Sequence, residues 1–122
     1  MGQTQLIGAR GERAAVEWLR ANGFLIAERN WRCPPHELDI VAISPDGHYH
    51  FVEVKTRHSG SLTTPHEALT RRKISFLIKA ANHYIEQHAI TAEVWIDFIA
   101  VTEHDDGALT TDFIPDVAGV HW

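Results

Sequence analysis

The sequence lacks several features that would assign it to whole classes of protein. It has a single cysteine, Cys33, so an internal disulfide is excluded and a reducing cytoplasm is the expected location. No apolar run approaches the roughly 20 residues that cross a bilayer, and the first residues lack the basic and apolar regions of a signal peptide. Repeats, linkers and low-complexity stretches are also missing. We therefore expect one cytoplasmic domain over residues 1–122, with no membrane partner.

Basic residues are absent from the last third of the chain. Residues 80–122 contain eight acids and no lysine or arginine, whereas residues 55–79 carry a net charge of +5 within a chain of net charge −5. Such a basic segment can form a phosphate-binding surface in a protein of low pI. A solvated helix end explains the same charges equally well. The candidate nucleic-acid-binding residues are Arg57, Arg71, Arg72 and Lys73.

Apolar periodicity and turn residues predict two helices and five strands in the order αβββαββ. This order favours an α/β domain in which a mixed sheet lies between helices. Proline and glycine mark a turn at 44–47, and residues 59–65 read as a loop. The predicted helices cover about 6–22 and 71–88, the second capped by Thr70, and the predicted strands cover 24–29, 37–43, 49–57, 94–101 and 109–114.

Acidic residues recur on the inward faces of three predicted elements. Alternate residues of a strand share a face, so Glu37 lies with Asp39 on the second strand and Glu53 lies with Lys55 on the third. The hairpin between these strands brings Asp39 opposite Glu53 if its loop has an odd number of residues or a bulge corrects the parity. Glu12 lies on an otherwise apolar or small face of the first helix and can approach the same place.

Carboxylates gathered in this way repel one another, by about 4 kcal/mol for a pair 4 Å apart at an effective dielectric constant near 20. Protons, an arginine or a cation must neutralise them. Oxygen ligands select hard cations, so we predict a Mg²⁺ or Mn²⁺ site. Its predicted ligands are Glu12, Glu37, Asp39 and Glu53. The ion would orient a water molecule and polarise a scissile phosphate. Lys55 would either help to lower the pKa of the attacking water or stabilise the transition state.

Other interpretations of these residues stay open. Glu53 and Lys55 could form an ion pair on a sheet edge, and Glu37 and Asp39 could be ordinary surface acids. The nine histidines raise the question of zinc, but their spacing and the lack of a cysteine pair disfavour it. Asp97 is the one charge in an apolar strand, and we expect it to be structural and to pair with a basic side chain. Support of a metal ligand is the alternative role.

Four motifs resemble, in order and spacing, the YraN-like family of uncharacterised bacterial proteins, and the resemblance covers about Gly8 to Val101. That family is similar to a compact branch of the PD-(D/E)xK nucleases, a superfamily that includes Holliday-junction resolvases and restriction enzymes. The motifs are Gly8-Ala9-Arg10-Gly11-Glu12, Arg29-Asn30-Trp31-Arg32, His36-Glu37-Leu38-Asp39 and Phe51-Val52-Glu53-Val54-Lys55-Thr56-Arg57, and Pro65-His66-Glu67-Ala68-Leu69 with Lys73 extends the match.

The resemblance implies a restriction-endonuclease-like fold, a three-layer sandwich around a mixed sheet. It implies that Asp39, Glu53 and Lys55 are the catalytic residues and that Glu12 is the acid contributed by the N-terminal helix. The implied activity is Mg²⁺- or Mn²⁺-dependent hydrolysis of DNA, with branched or structured DNA in repair or recombination as the substrate class. Junction-cutting relatives act as dimers, so a homodimer is one state to consider.

Two alternatives to this activity are a non-catalytic nucleic-acid-binding module that retains the nuclease fold and a protein-interaction domain whose acids are only a rim. Two positions also depart from the family pattern. His36 stands where the family usually has glycine, and Trp95 stands where it usually has arginine. Neither position is a predicted metal ligand, but Trp95 removes one potential contact to phosphate or carboxylate.

Overall fold

The chain folds into two helices and five strands in the predicted order αβββαββ. The structure, a computed structural model, describes residues 3–61, 67 and 69–119, so part of the predicted loop at 59–65 and most of the Pro65–Leu69 motif lie outside the described residues. The elements are α1 Gln3–Ala21, β1 Leu25–Cys33, β2 His36–Ile43, β3 Tyr49–His58, α2 Arg71–Gln87, β4 Val94–Glu103 and β5 Leu109–Ile114.

The first strand extends further than the sequence predicts. The polar run after Arg29 was expected to lie outside it, yet β1 continues to Cys33 and meets β2 across the Pro34-Pro35 turn. Trp31 explains the extension, because this residue is buried between the sheet and α2 and contributes to the core from within the polar run. An apolar anchor thus extends the strand through a segment of low strand propensity.

The five strands form one mixed sheet in the order β1-β2-β3-β4-β5. Every neighbouring pair is antiparallel except β3 and β4, which are parallel and are connected through α2. Parallel neighbours require such a crossover, whereas the antiparallel pairs are joined by short turns. The predicted mixed α/β architecture is therefore confirmed.

The helices cover opposite faces of the sheet, which gives three layers. Consecutive residues of β2 divide between them: Ile40 belongs to the apolar cluster under α1, and Val41 belongs to the cluster under α2. The α1 cluster also contains Ala15, Val16, Leu19, Ala42, Val52, Ile99 and Val101, and the α2 cluster also contains Leu77, Ala81, Tyr84, Phe51 and Ile96. Burial of both faces stabilises the sheet and fixes its register. Across the described ranges, no helix is long and apolar enough to span a membrane.

Two local features place α1 and the β2–β3 hairpin for the site described below. A Cβ atom at Gly11 would overlap the Thr56 hydroxyl, so glycine at this position lets α1 approach β3 closely. The hairpin loop spans five residues, Ser44 to His48, and the register runs from Ile43 opposite Tyr49 to Ile40 opposite Val52. One further step along that register sets Asp39 opposite Glu53.

Candidate active site

Asp39 and Glu53 form the centre of the candidate site, at the point where the paired part of β2 and β3 ends. The Asp39 carboxylate accepts a hydrogen bond from the Val54 backbone N–H at 2.9 Å. It takes the place of the β2 backbone carbonyl that would accept this hydrogen bond in a continuous ladder. Glu53 is buried, with 9 % of its surface exposed. Burial, a hydrogen bond with Glu53 and the negative charge of Glu53 together raise the pKa of Asp39 to about 8. Near neutral pH Asp39 therefore retains its proton.

Lys73 supplies the counter-ion of Glu53. Its ammonium lies 2.9 Å from Glu53 Oε2, reached from the first turn of α2. Thr70 caps that turn, since its hydroxyl accepts a hydrogen bond from the Lys73 backbone N–H at 3.1 Å. Burial lowers the pKa of Lys73, but the contact with Glu53 outweighs it and leaves the pKa raised. Lys73, which the sequence predicted as a nucleic-acid contact, thus lies at the acidic centre.

Glu12 approaches the same centre from α1. Burial and the negative charge of Asp39 raise its pKa, while Arg29 and a hydrogen bond from Asn30 partly offset that shift. Arg29 reaches Glu12 Oε1 at 3.6 Å, beyond hydrogen-bond distance, and this buried oxygen has no hydrogen-bond partner within the described chain. Asn30 has a positive φ of 52°, a conformation that asparagine tolerates better than most residues. Neither Arg29 nor Asn30 was predicted as a site residue, although both lie in a motif of the family resemblance.

The remaining predicted residues lie around this centre. Glu37 is exposed and pairs with Arg32 on β1, with 3.6 Å between Nε and Oε2, so it does not join the cluster. Glu37 was predicted as a metal ligand, but it lies at the start of β2 opposite Arg32 of β1 and forms an ion pair with it instead. Lys55 follows Glu53 on β3 and is exposed. Lys55 and Arg57 both line a cleft beside the second half of β3. Arg71 and Arg72 are exposed at the start of α2.

These side chains do not form a finished metal site. Among the residues that the structure describes, no group of three or more histidine, cysteine or acidic side chains is arranged to hold a metal ion. Two carboxylates, Asp39 and Glu53, face each other and offer oxygen atoms only. Mg²⁺ commonly uses one or two carboxylates and completes its shell with water and substrate phosphate. The carboxylate oxygens of Asp39 and Glu53 therefore suit Mg²⁺ or Mn²⁺ if the Lys73 ammonium moves away from Glu53.

Comparison with known proteins places the chain in a family. The family described as "Uncharacterised protein family UPF0102" matches residues 11–101, about three quarters of the chain. The chain belongs to UPF0102. This confirms the resemblance to YraN-like proteins that the motifs indicated, and the family description names no activity.

Relatives within UPF0102 are similar over most of their length. A "UPF0102 protein" of Beutenbergia cavernae is 46% identical over 110 residues, which cover 88% of this chain and 92% of that protein. One of Porphyromonas gingivalis is 41% identical over 101 residues, which cover 83% of this chain and 74% of that protein. Among solved structures, Pyrococcus furiosus SfsA in complex with Ca²⁺ is 18% identical with a TM-score of 0.44, covering 92% of this chain and 63% of that one. A likeness this weak carries no argument about this chain.

Asp97 and the two residues that depart from the family pattern have structural explanations in this UPF0102 chain. The buried Asp97 binds His50 Nδ1 through Oδ2 at 2.6 Å and accepts the Asp116 N–H through Oδ1 at 2.9 Å, so its predicted structural pairing is confirmed. Trp95 stacks near His50, with ring centroids 6.5 Å apart. His36 contacts Phe76 and His83 on α2, at centroid distances of 5.1 and 4.7 Å.

The protonated state of Asp39 predicts how stability depends on pH. In the unfolded chain its carboxyl ionises near 3.8, whereas in the folded chain it keeps the proton until about 8. The folded state therefore binds more protons in this window, and stability falls as the pH rises through it. Asp39→Asn removes this loss. In thermal melts with a chelator present, we expect the melting temperature of Asp39→Asn to rise relative to that of the unaltered protein between about pH 5 and pH 8. Each 1 kcal/mol of stability that the unaltered protein loses corresponds to roughly 3–6 °C.

The matched control for this experiment is Glu37→Gln, which removes an exposed carboxylate from the same strand. Its melting temperature should follow that of the unaltered protein at every pH. An Asp39→Asn curve parallel to the unaltered one would show that Asp39 is already ionised at neutral pH and would contradict its raised pKa.

Proposed function

We propose that this UPF0102 protein is a metal-dependent nuclease of the restriction-endonuclease-like fold that hydrolyses phosphodiester bonds in DNA. The substrate class to examine first is branched or structured DNA of repair and recombination, which the sequence resemblance implies. The observation that carries the proposal is the facing pair of the half-buried Asp39 and the buried Glu53, with Glu12 nearby. Carboxylates that are buried and repel one another lower the stability of a fold, so their presence here favours a functional role.

Mg²⁺ or Mn²⁺ is the cofactor that suits these residues. Asp39 and Glu53 would hold it, and the unpartnered oxygen of Glu12 would accept a hydrogen bond from a water molecule in its shell. Arg29 and Asn30 hold Glu12 in place for that contact. When bound, the cation would activate water and shield the charge that develops on the scissile phosphate.

Lys55 is the proposed catalytic lysine beside this centre. It lies two residues beyond Glu53, so both side chains project from the same face of β3. Being exposed, its ammonium can approach a phosphate oxygen and stabilise the charge of the transition state. Arg71 and Arg72, exposed in the first turn of α2, would bind the nucleic-acid backbone.

A second candidate function is a nucleic-acid-binding module without turnover. The ion pair between Lys73 and Glu53 favours it, because this contact neutralises the buried acid without any metal. In that case the carboxylates and Lys73 would be a structural network, and only the basic surface would act. Binding that weakens steeply with salt, without cleavage, distinguishes this candidate from the nuclease.

The test of the proposal is a cleavage panel with single-stranded, duplex, flapped and four-way DNA and with RNA, each incubated with Mg²⁺ or Mn²⁺. We expect cleavage of at least one DNA substrate, its loss with a chelator and its loss in Asp39→Asn. Salt-dependent binding in the absence of any cleavage would replace the nuclease with the binding module. Absence of both would contradict a nucleic-acid function altogether.

A further inference from the structure

A cleft of about 450 Å³ opens beside the second half of β3, next to the acidic centre. Its walls come from the start of α1, from β3 and from the end of β4. The lining residues are Gly8, Val54, Lys55, Thr56, Arg57, His58, Ser61 and Glu103. Of the residues that form the acidic centre, none lines it, so it is a separate space beyond the centre on the same strand.

The cleft lies along an edge of β3 that β2 leaves free. The register between these strands ends with Ile40 opposite Val52, and the next outward amide, that of Val54, donates to the Asp39 carboxylate. Amides of alternate residues point to the same edge of a strand, so those of Thr56 and His58 point as that of Val54 does. The amide of Ser59 donates to the Glu103 carbonyl at 2.7 Å on the β4 side, as this alternation requires. Successive amides directed into a concavity favour an anion.

The charges of the lining also favour an anion. Arg57 has a buried Nε atom without a hydrogen-bond partner, and within the described ranges neither Arg57 nor Lys55 forms an ion pair. The acid in the wall, Glu103, is already bound by Arg10 at 2.9 Å and lies 3.8 Å from His58. Its charge is therefore compensated, while those of Lys55 and Arg57 remain available. A buried donor without a partner is costly, and an oxygen-rich ligand would satisfy it.

The spacing along β3 relates this cleft to the acidic centre. Glu53, Lys55 and Arg57 project from one face at intervals of about 6.6 Å, twice the rise per residue of a strand. Successive phosphates of a nucleic-acid strand are separated by a comparable distance. We propose that the cleft binds the phosphate next to the scissile one, so that a single nucleic-acid strand runs along β3 from Glu53 to Arg57. This inference rests on the proposed nuclease function and places the backbone of one substrate strand along β3.

The test measures binding without metal, so that it does not depend on turnover. Labelled oligothymidylate, oligouridylate and an abasic DNA strand of equal length are titrated, with a chelator present, into the unaltered protein, Arg57→Met and Arg20→Met. Arg20 is the matched control, an exposed arginine in the last turn of α1. We expect Arg57→Met to weaken binding about tenfold and to reduce the slope of log K against log salt by about 0.7, the value for one phosphate contact on a single strand.

The three probes and the two variants separate the outcomes. Equal loss for all three strands supports recognition of phosphate, because the strands differ in base and sugar and share only the backbone phosphates. Arg57→Met that binds with the affinity and salt slope of Arg20→Met overturns the inference, even if the protein cleaves DNA. Loss of binding in Arg57→Met by a protein that cleaves nothing supports the cleft and overturns the nuclease.

A measurement on the unaltered protein guards against misfolding of the variant. On titration with the abasic strand, the backbone amide resonances of Thr56 and His58 should shift more than those of β5, which lies at the far edge of the sheet. Unchanged amide resonances at Thr56 and His58 while the strand binds elsewhere would overturn the cleft as its site. A complete lack of binding to the unaltered protein would overturn the cleft, and the cleavage panel would decide the nuclease separately.

Discussion

Glu53→Gln is expected to reduce DNA cleavage by at least about 10²–10³-fold, the loss typical of one group that acts directly on a transition state. Glutamine keeps the shape of the side chain and an oxygen that Lys73 can still contact from the first turn of α2. It removes the negative charge that would hold the cation against the scissile phosphate. Folding should therefore survive while metal-dependent turnover is lost. Initial rates on the best substrate of the panel measure the effect, with melting temperatures as the check on folding.

Glu37→Gln is the control for this substitution. Glu37 is an acid of the adjacent strand, but it is exposed and paired with Arg32, outside the acidic centre. We expect it to cleave at nearly the unaltered rate, although the sequence placed it among the metal ligands. If Glu53→Gln and Glu37→Gln cleave equally well, the buried pair has no part in the chemistry.

Lys55→Ala is expected to lower the single-turnover rate by about 10²–10³-fold, equivalent to about 3–4 kcal/mol of transition-state stabilisation. The lysine is a charge and not a metal ligand, so stabilisation of the fold by Mg²⁺ or Mn²⁺ should persist in the variant. This combination separates a role in the chemistry from a role in holding the cation. Rates at saturating substrate, measured beside thermal melts with and without metal, provide both readouts.

Lys79→Ala is the matched control for Lys55, because Lys79 is an exposed lysine of α2. It should leave the single-turnover rate unchanged. Retention of full activity in Lys55→Ala would contradict its catalytic role. Lys73, which already contacts Glu53, would then be the residue to examine for that role.

The facing pair at the centre was predictable because strands repeat every two residues. Alternation on β2 and β3, with a hairpin loop of five residues between them, determines that Asp39 lies opposite Glu53. The same alternation predicted Glu37 as a metal ligand, but it does not reveal that Arg32 lies opposite Glu37 on β1. Which acid has a partner depends on pairing between strands, and this is tertiary information.

The position of Lys73 could not be derived from the sequence. A run of basic residues at a helix start reads as a surface, and helical periodicity does not determine how far along the sheet that helix packs. Thr70 caps α2 at a point that brings Lys73 over Glu53. The role of Asn30 could not be derived from the sequence either, because its positive φ depends on the local shape of β1. The sequence predicted the layers and the acids, while these neutralising contacts arise from packing.

In the proposed function, Asp39 and Glu53 together bind a divalent cation. The measurement that tests it most directly is the melting temperature of the protein near pH 8, where Asp39 can ionise, with and without Mg²⁺ or Mn²⁺ in the presence of a short oligonucleotide. A ligand at a hundred times its dissociation constant stabilises the folded state by about 2.7 kcal/mol, so we predict a rise of several degrees that is absent in Asp39→Asn. An equal response in both proteins, or none in either, would contradict the metal site.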